Sequence, residues 1–228
     1  MTGVTSGIGR AVTIALLEDG WTVIGLSRRY PTGLPSDLPG RFGWHHGNLL
    51  TGYGVNHVRW CFQDGLDALI HCAAVQGPVG PFSGVVPHEW DACVRVNLLG
   101  TARVLQIALP FLRESDDARV LLFAGGGAFN PRADYSAYAA SKAGVVSLME
   151  TVAAEWAGTN VSVNCVSPGY VPTPMVGEVD GPSEQMDRAV ACVRHLLSPA
   201  TKGLTGRTIS AEYDGWQTLD EQTVPAVM

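Results

Sequence analysis

Charge is scarce in this sequence, and no stretch of it stays apolar for long. Charged residues make up 16% of the 228, with 15 Lys and Arg against 21 Asp and Glu, for a formal net charge of −6. An acidic chain with no arginine/lysine cluster set among aromatics lacks the basic face that sequence-independent nucleic-acid binding needs, so no nucleic-acid partner is expected. No run approaches the roughly 20 apolar residues of a membrane span. The N-terminus has no charged segment leading into an apolar one. Neither a membrane partner nor a signal peptide is expected, and a cytoplasmic location is. Cysteine is sparse: Cys61, Cys72, Cys93, Cys165 and Cys192 are odd in number and none is close to another. They read as reduced thiols of a cytosolic core and not as a disulfide framework. His45–His46 and His71–Cys72 lack a second ligand pair, so no metal site is expected. Internal repeats, linkers and low-complexity blocks are also missing, and the 27 glycines and 14 prolines are dispersed as punctuation.

What is present is an apolar content of 46%, enough for one well-buried domain spanning residues 1–228. Short apolar or β-branched runs at Trp21–Ser27, Asp67–Ala73, Arg119–Ala124 and Val161–Val166 predict strands. Phe42–His46 gives a weaker signal, and Arg207–Ala211 reads as a last strand. Helix-length stretches lie between them: Ile8–Asp19 with Gly20 as its stop, a long Glu89–Arg113, and an alanine-rich Ser136–Trp156. Strands alternating with helices predict an α/β fold, a Rossmann-type doubly wound parallel sheet with helices on both faces. Near-continuous apolar strands suit a sheet covered on both sides.

The first helix is preceded by Gly3-Val4-Thr5-Ser6-Gly7-Ile8-Gly9. Glycines there allow a tight turn and a close backbone approach to a pyrophosphate, and the helix N-terminus offers N–H groups to the anion. Further along stand Asn97 in VNLLG, Tyr138-Ala-Ala-Ser-Lys142, and Asn164-Cys-Val-Ser-Pro168-Gly169 followed by Thr173. These four motifs, in this order and spacing, resemble the short-chain dehydrogenase/reductase family in its classical type, and the resemblance runs over nearly the whole chain. In that family a strand comes directly before the glycine loop, and only Met1 and Thr2 stand there in this sequence. The first strand is therefore expected to be cut short. Neighbouring strands would be left with unpaired backbone groups, and a start upstream of Met1 is expected.

The resemblance implies a nicotinamide dinucleotide held by Gly3, Thr5, Ser6, Gly7, Ile8 and Gly9, by Ala73 and Ala74, and by Pro168, Gly169 and Thr173. The second strand ends in Ser27-Arg28-Arg29, with no acidic residue for the ribose. A guanidinium suits a 2′-phosphate, so NADP(H) is expected over NAD(H). Asn48 stands near the expected adenine site and can both donate and accept there. Tyr138 and Lys142 share a helix face. Tyr138 is the expected acid/base. Lys142 is expected to lower its pKa and, by resemblance, to hold the nicotinamide ribose, while Asn97 supports a proton-relaying water.

Where the family carries a catalytic serine this chain has Gly125, in Gly125-Gly126-Gly127. Losing one such donor costs on the order of 10²–10³ in rate. Backbone N–H groups of Gly125–Gly127 could take over, or Ser136, Tyr135 or Ser141 could reach in, and Gly125 and Gly126 are expected at the substrate. His71 is expected to be packed and not a general acid. Met175–Gln185 is short and polar or small, predicting an open pocket or a weak lid, to which Trp216 and the C-terminal tail could contribute. The expected activity is NADP(H)-dependent hydride transfer between the cofactor and a carbonyl or secondary alcohol of a small molecule. The alternatives are a dinucleotide-binding sensor or partner subunit with weak or no catalysis, and a related epimerase or dehydratase. The long helices resemble the family's dimer-forming pair, implying a homodimer or homotetramer.

Overall fold

Six short runs of apolar and β-branched residues become strands, and every ladder between them is parallel. The computed structural model describes residues 1–62, 65–177, 181–213 and 215–219. β1 (Thr22–Ser27) pairs with β2 (Arg41–His46), and β3 (Ala68–His71), β4 (Ala118–Phe123), β5 (Val161–Ser167) and β6 (Thr208–Ser210) follow in that order. The β1–β2 ribbon and the β3–β6 sheet are joined through Thr2, which makes single parallel bridges to Leu26 and to His71. The Met1 amine donates to Ile24 O at 2.6 Å, Leu26 N–H to Met1 O at 2.8 Å, and Thr2 N–H to Ile70 O at 3.0 Å. Two residues thus tie the ribbon to the sheet at the ends of the strands that face the glycine loop. Beneath them an apolar cavity of about 30 Å³ is lined by Ile24, Leu26, Phe62, Leu69 and Val104.

Helices cover both faces, as a parallel sheet requires. α1 (Gly7–Glu18) and α5 (Glu184–Leu196) lie on one side, where Val12 and Leu16 pack with Cys192, Val193 and Leu196. Arg194 fastens the pair: its guanidinium donates to Ala15 O at 2.9 Å and to the Asp19 carboxylate at 2.7 Å. α1 ends in a Schellman motif, with Trp21 N–H bonded to Leu16 O and Gly20 N–H to Leu17 O.

The other face carries α2 (Pro87–Val94), α3 (Gly100–Leu112) and α4 (Ser136–Glu155). The predicted single helix over 89–113 is interrupted by a π-turn at Arg95–Leu99, which holds Asn97, and it begins two residues earlier than expected. The α3 residues Val104, Leu105, Ala108 and Leu112 are buried against the sheet with Val145, Met149 and Val152 of α4. β4 is buried at every position and β5 at all but its last, so the centre of the sheet is dry.

Candidate active site

The loop after Thr2 and the end of β1 open onto a cleft of about 260 Å³, which holds most of the residues expected at the dinucleotide. Gly3, Thr5, Ser6, Gly7, Ile8 and Gly9 line it from one side, Arg28, Arg29 and Asn48 from another, and Ala73, Ala74 and Thr173 close it. Gly9 is fixed by space, since a Cβ there would overlap Gly3 O. The first helical bond of α1 runs from Arg10 N–H to Ser6 O. The N–H groups of Ile8 and Gly9 therefore have no acceptor among the described residues, and they face an open cleft at the positive end of the helix dipole.

The Ser27 hydroxyl is engaged within the protein, accepting from Trp44 Nε1 at 2.9 Å and donating to Arg29 O at 2.6 Å. That clamp sets the turn on which Arg28 and Arg29 stand exposed, and neither has a carboxylate partner among the described residues. Asn48 was expected to donate and to accept. Its Oδ1 accepts from Leu50 N–H at 3.0 Å, which fixes the amide at the cleft while its nitrogen and the second lone pair of its oxygen stay available to a ligand.

A second, larger cavity of about 710 Å³ adjoins the first, sharing Ile8, Thr173 and Met175. Tyr138, Gly125 and Gly126 line it, and so do Pro168 and Gly169, which were expected at the dinucleotide but follow the end of β5 onto this wall instead of the first cleft. Phe129, Arg132, Tyr135, Tyr170 and Tyr213 also line it, and no sequence motif marked them apart from Tyr135. A Cβ at Gly125 would fall 2.5 Å from the Tyr138 hydroxyl, so glycine lets the phenol stand directly over the end of β4. Ser141 and Ser136, considered as substitutes for the missing serine, are engaged elsewhere. Ser141 Oγ accepts from Asn97 Nδ2 at 3.0 Å and donates to Tyr138 O at 2.8 Å, and Ser136 Oγ accepts from Trp90 Nε1 at 3.3 Å. The backbone N–H groups of Gly126 and Gly127 have no acceptor among the described residues, and both glycines form part of the cavity wall.

The electrostatics differ from the expectation at Tyr138. Burial pushes its phenol above the usual tyrosine range, the Arg132 guanidinium pulls it down, and Cys93 adds to the rise. Lys142 was expected to be the cation that lowers it. Its Nζ lies 5.8 Å from the Tyr138 ring centroid and donates to Phe123 O at 2.7 Å, so the ammonium is turned towards the end of β4. Burial holds the Lys142 ammonium down at about 8. Asn97 is buried and braces the segment after β3, accepting from Val75 N–H at 2.8 Å and donating to Val75 O at 2.9 Å. Neither Lys142 nor Asn97 is part of either cavity wall.

His71 is packed: its Nδ1 lies 3.0 Å from Thr2 Oγ1, and burial, then the Lys142 charge, lower its pKa to about 3. Trp216 is buried, donating to Ala211 O, and does not reach the cavity. Of the expected lid, Pro174–Val176 is a short 3-10 turn at the cavity and Glu184 opens α5. Residues 178–180 and 220–228 lie outside the described residues.

A parallel α/β sheet, a glycine loop at the first helix and the Tyr138–Lys142 pair at the sheet's end define a class, and comparison with known proteins bears it out. The short chain dehydrogenase family pattern matches residues 54–183. The chain belongs to that family and is a short-chain dehydrogenase/reductase enzyme with a Rossmann-type fold. The D-beta-hydroxybutyrate dehydrogenase of Cupriavidus necator is 30% identical over 184 residues, covering 77% of this chain and 71% of the relative. A 3-oxoacyl-acyl-carrier-protein reductase of Thermotoga maritima is 30% identical over 183 residues, covering 77% and 74%. Among solved structures, a short chain dehydrogenase from Escherichia coli CFT073 in complex with NADPH superposes with a TM-score of 0.82 at 26% identity, covering 92% of this chain and 94% of that one.

Proposed function

We propose that this enzyme transfers a hydride between NADP(H) and a carbonyl or secondary alcohol of a small molecule, with Tyr138 as the acid/base. The observation that carries this reading is the adjoining of the two cavities, one lined by the glycine loop with its free N–H groups and the other holding the Tyr138 hydroxyl. A dinucleotide fits the first cavity on physical grounds: a Cβ at Gly9 would occlude the loop, and the N–H groups of Ile8 and Gly9 await an anion. Arg28 and Arg29 would hold the 2′-phosphate, which supports NADP(H) over NAD(H). Ala73, Ala74 and Thr173 would border the rest of the dinucleotide. When bound, the nicotinamide supplies or accepts the hydride. The names of the two relatives, one a hydroxy-acid dehydrogenase and one an oxoacyl reductase, agree with a carbonyl/alcohol pair.

The chain's own part is the proton. Tyr138 keeps its proton at neutral pH because burial raises its pKa, so in the reductive direction it is a neutral phenol ready to donate to the oxygen of the reacting carbonyl. The Gly126 and Gly127 N–H groups supply hydrogen bonds to that oxygen where Gly125 has none to give from a side chain. Lys142, held at the end of β4 by its bond to Phe123 O, keeps a positive charge behind Tyr138. Asn97 positions the Val75 backbone and, through Ser141, the start of the Tyr138 helix.

A second reading, dinucleotide binding with weak catalysis, is favoured by Gly125 alone. Mixing the NADPH-loaded chain with a panel of aldehydes and ketones separates the readings. Loss of nicotinamide absorbance matched one-to-one by alcohol is the expected result. Tight NADPH binding with no consumption on any carbonyl would replace the first reading with the second, and product formed without net NADPH loss would point to an epimerase or dehydratase.

A further inference from the structure

The substrate cavity has a chemical character of its own. Several of the large hydrophobic side chains that the fold leaves exposed gather on its wall: Phe129 at 57%, Tyr170 at 59%, Met175 at 37% and Tyr213 at 83%. Aromatic surface concentrated at one concave site marks a place for an apolar body. Among the described residues of that wall there is one charged side chain, Arg132, and no carboxylate.

Arg132 is held in place without an ion pair. Its guanidinium carbon lies 3.7 Å from the centroid of the Tyr135 ring, a stacked cation–π arrangement. Its Nη1 lies over Gly126, 3.2 Å from where a Cβ would stand, while the Tyr138 hydroxyl lies over Gly125 in the same way. The bare backbone of two successive glycines thus forms the floor of a space walled by the phenol and the guanidinium. Among the described residues Arg132 has no carboxylate partner and no other acceptor. Stacking engages the face of the guanidinium and leaves the N–H groups in its plane free to bind. The Arg132 charge is also the largest one acting on the Tyr138 phenol, which places both within electrostatic reach of a single small molecule.

We propose that Arg132 is a specificity-determining residue that binds a carboxylate on the substrate, so that the enzyme takes oxo acids, or the matching hydroxy acids, with an apolar body. The proposal rests on the reading of this cavity as the substrate site. A carboxylate matches a single planar fork, whereas a phosphate dianion would call for more than the one positive group this wall offers. The aromatic rim takes the apolar body, and the volume of about 710 Å³ leaves room for it beyond a carbonyl and a carboxylate.

The test uses the full chain, with and without NADP⁺, and calorimetric titration with benzoylformate, phenylpyruvate and 3-benzoylpropionate, each paired with its methyl ester. The expected result is that at least one acid binds on the order of 30-fold more tightly than its ester. Arg132→Met should remove that ratio while leaving the ester within about twofold, because the methionine stem still covers Tyr135. Arg132→Lys should restore part of it. Equal binding of acid and ester by the native chain, no binding of any acid, or an acid-to-ester ratio unchanged in Arg132→Met would each overturn the proposal. The reading of the site as a hydride-transfer centre fails on different evidence, namely NADPH that does not bind or turnover that does not need Tyr138.

Discussion

The two adjoining cavities are built from different materials. The cofactor cleft is largely backbone and small side chains, with two exposed arginines at its far end, and its shape is set by what is absent: a Cβ at Gly9 and bulk at Ala73 and Ala74. The substrate cavity is walled by large side chains, Phe129, Arg132, Tyr135, Tyr170 and Tyr213, arriving from separate segments. A backbone cradle requires particular residue types at fixed spacing, because the chain must turn tightly and open a helix there. A side-chain wall requires only that something aromatic or charged arrive, and any of several positions can supply it.

That contrast predicts how each region breaks. The largest effect on cofactor affinity should come from Gly9→Val, whose side chain would have to occupy the position of Gly3 O. NADPH affinity should fall by about 100-fold or more, as judged by fluorescence titration, with NADH affected equally because the shared pyrophosphate cradle is lost. Arg28→Ala and Arg29→Ala act at the other end of the same cleft. At least one should weaken NADPH by roughly 10- to 100-fold and leave NADH within about twofold, the signature of a lost charge-assisted bond to the 2′-phosphate.

The substrate side should respond in the opposite sense to what the family pattern suggests. Restoring a serine with Gly125→Ser puts a Cβ 2.5 Å from the Tyr138 hydroxyl, so the phenol must move. Turnover should fall, by roughly tenfold for about 1–2 kcal/mol of displacement, with NADPH affinity unchanged. A rise in turnover would show that the Gly126 and Gly127 N–H groups do not fill the missing donor's place.

The smallest effect lies at the end of β3, where His71 packs against Thr2. His71 has its pKa lowered from 6.5 to about 3, so the unfolded chain binds a proton that the folded chain does not between those values. Stability should therefore fall as pH drops below about 6.5, by at most about 1.4 kcal/mol per unit. In urea titrations at pH 7 and pH 5, His71→Gln should flatten that slope relative to the native chain.

The same contrast explains what could be read beforehand. The parallel sheet and the glycine loop were legible because alternating apolar runs and a Gly-rich helix start each have a physical requirement behind them, whereas Tyr138 and Lys142 stood out only through the family resemblance that the four motifs carry together. The π-turn at Arg95–Leu99 was not, since a continuous apolar periodicity runs straight through it. The engagement of Ser136 and Ser141 by Trp90 and Asn97 was hidden because it joins residues 46 and 44 positions apart. Arg132 gave no signal at all, being one arginine in a loop until stacking on Tyr135 brings it over Gly126.

The most direct test of hydride transfer at this site is a paired measurement on the native chain and Tyr138→Phe: NADPH affinity by fluorescence, and NADPH oxidation with the best carbonyl substrate. The account predicts affinities that agree within about twofold and a turnover that falls on the order of 10³-fold, since only the proton donor is removed. Turnover that survives in Tyr138→Phe would contradict it.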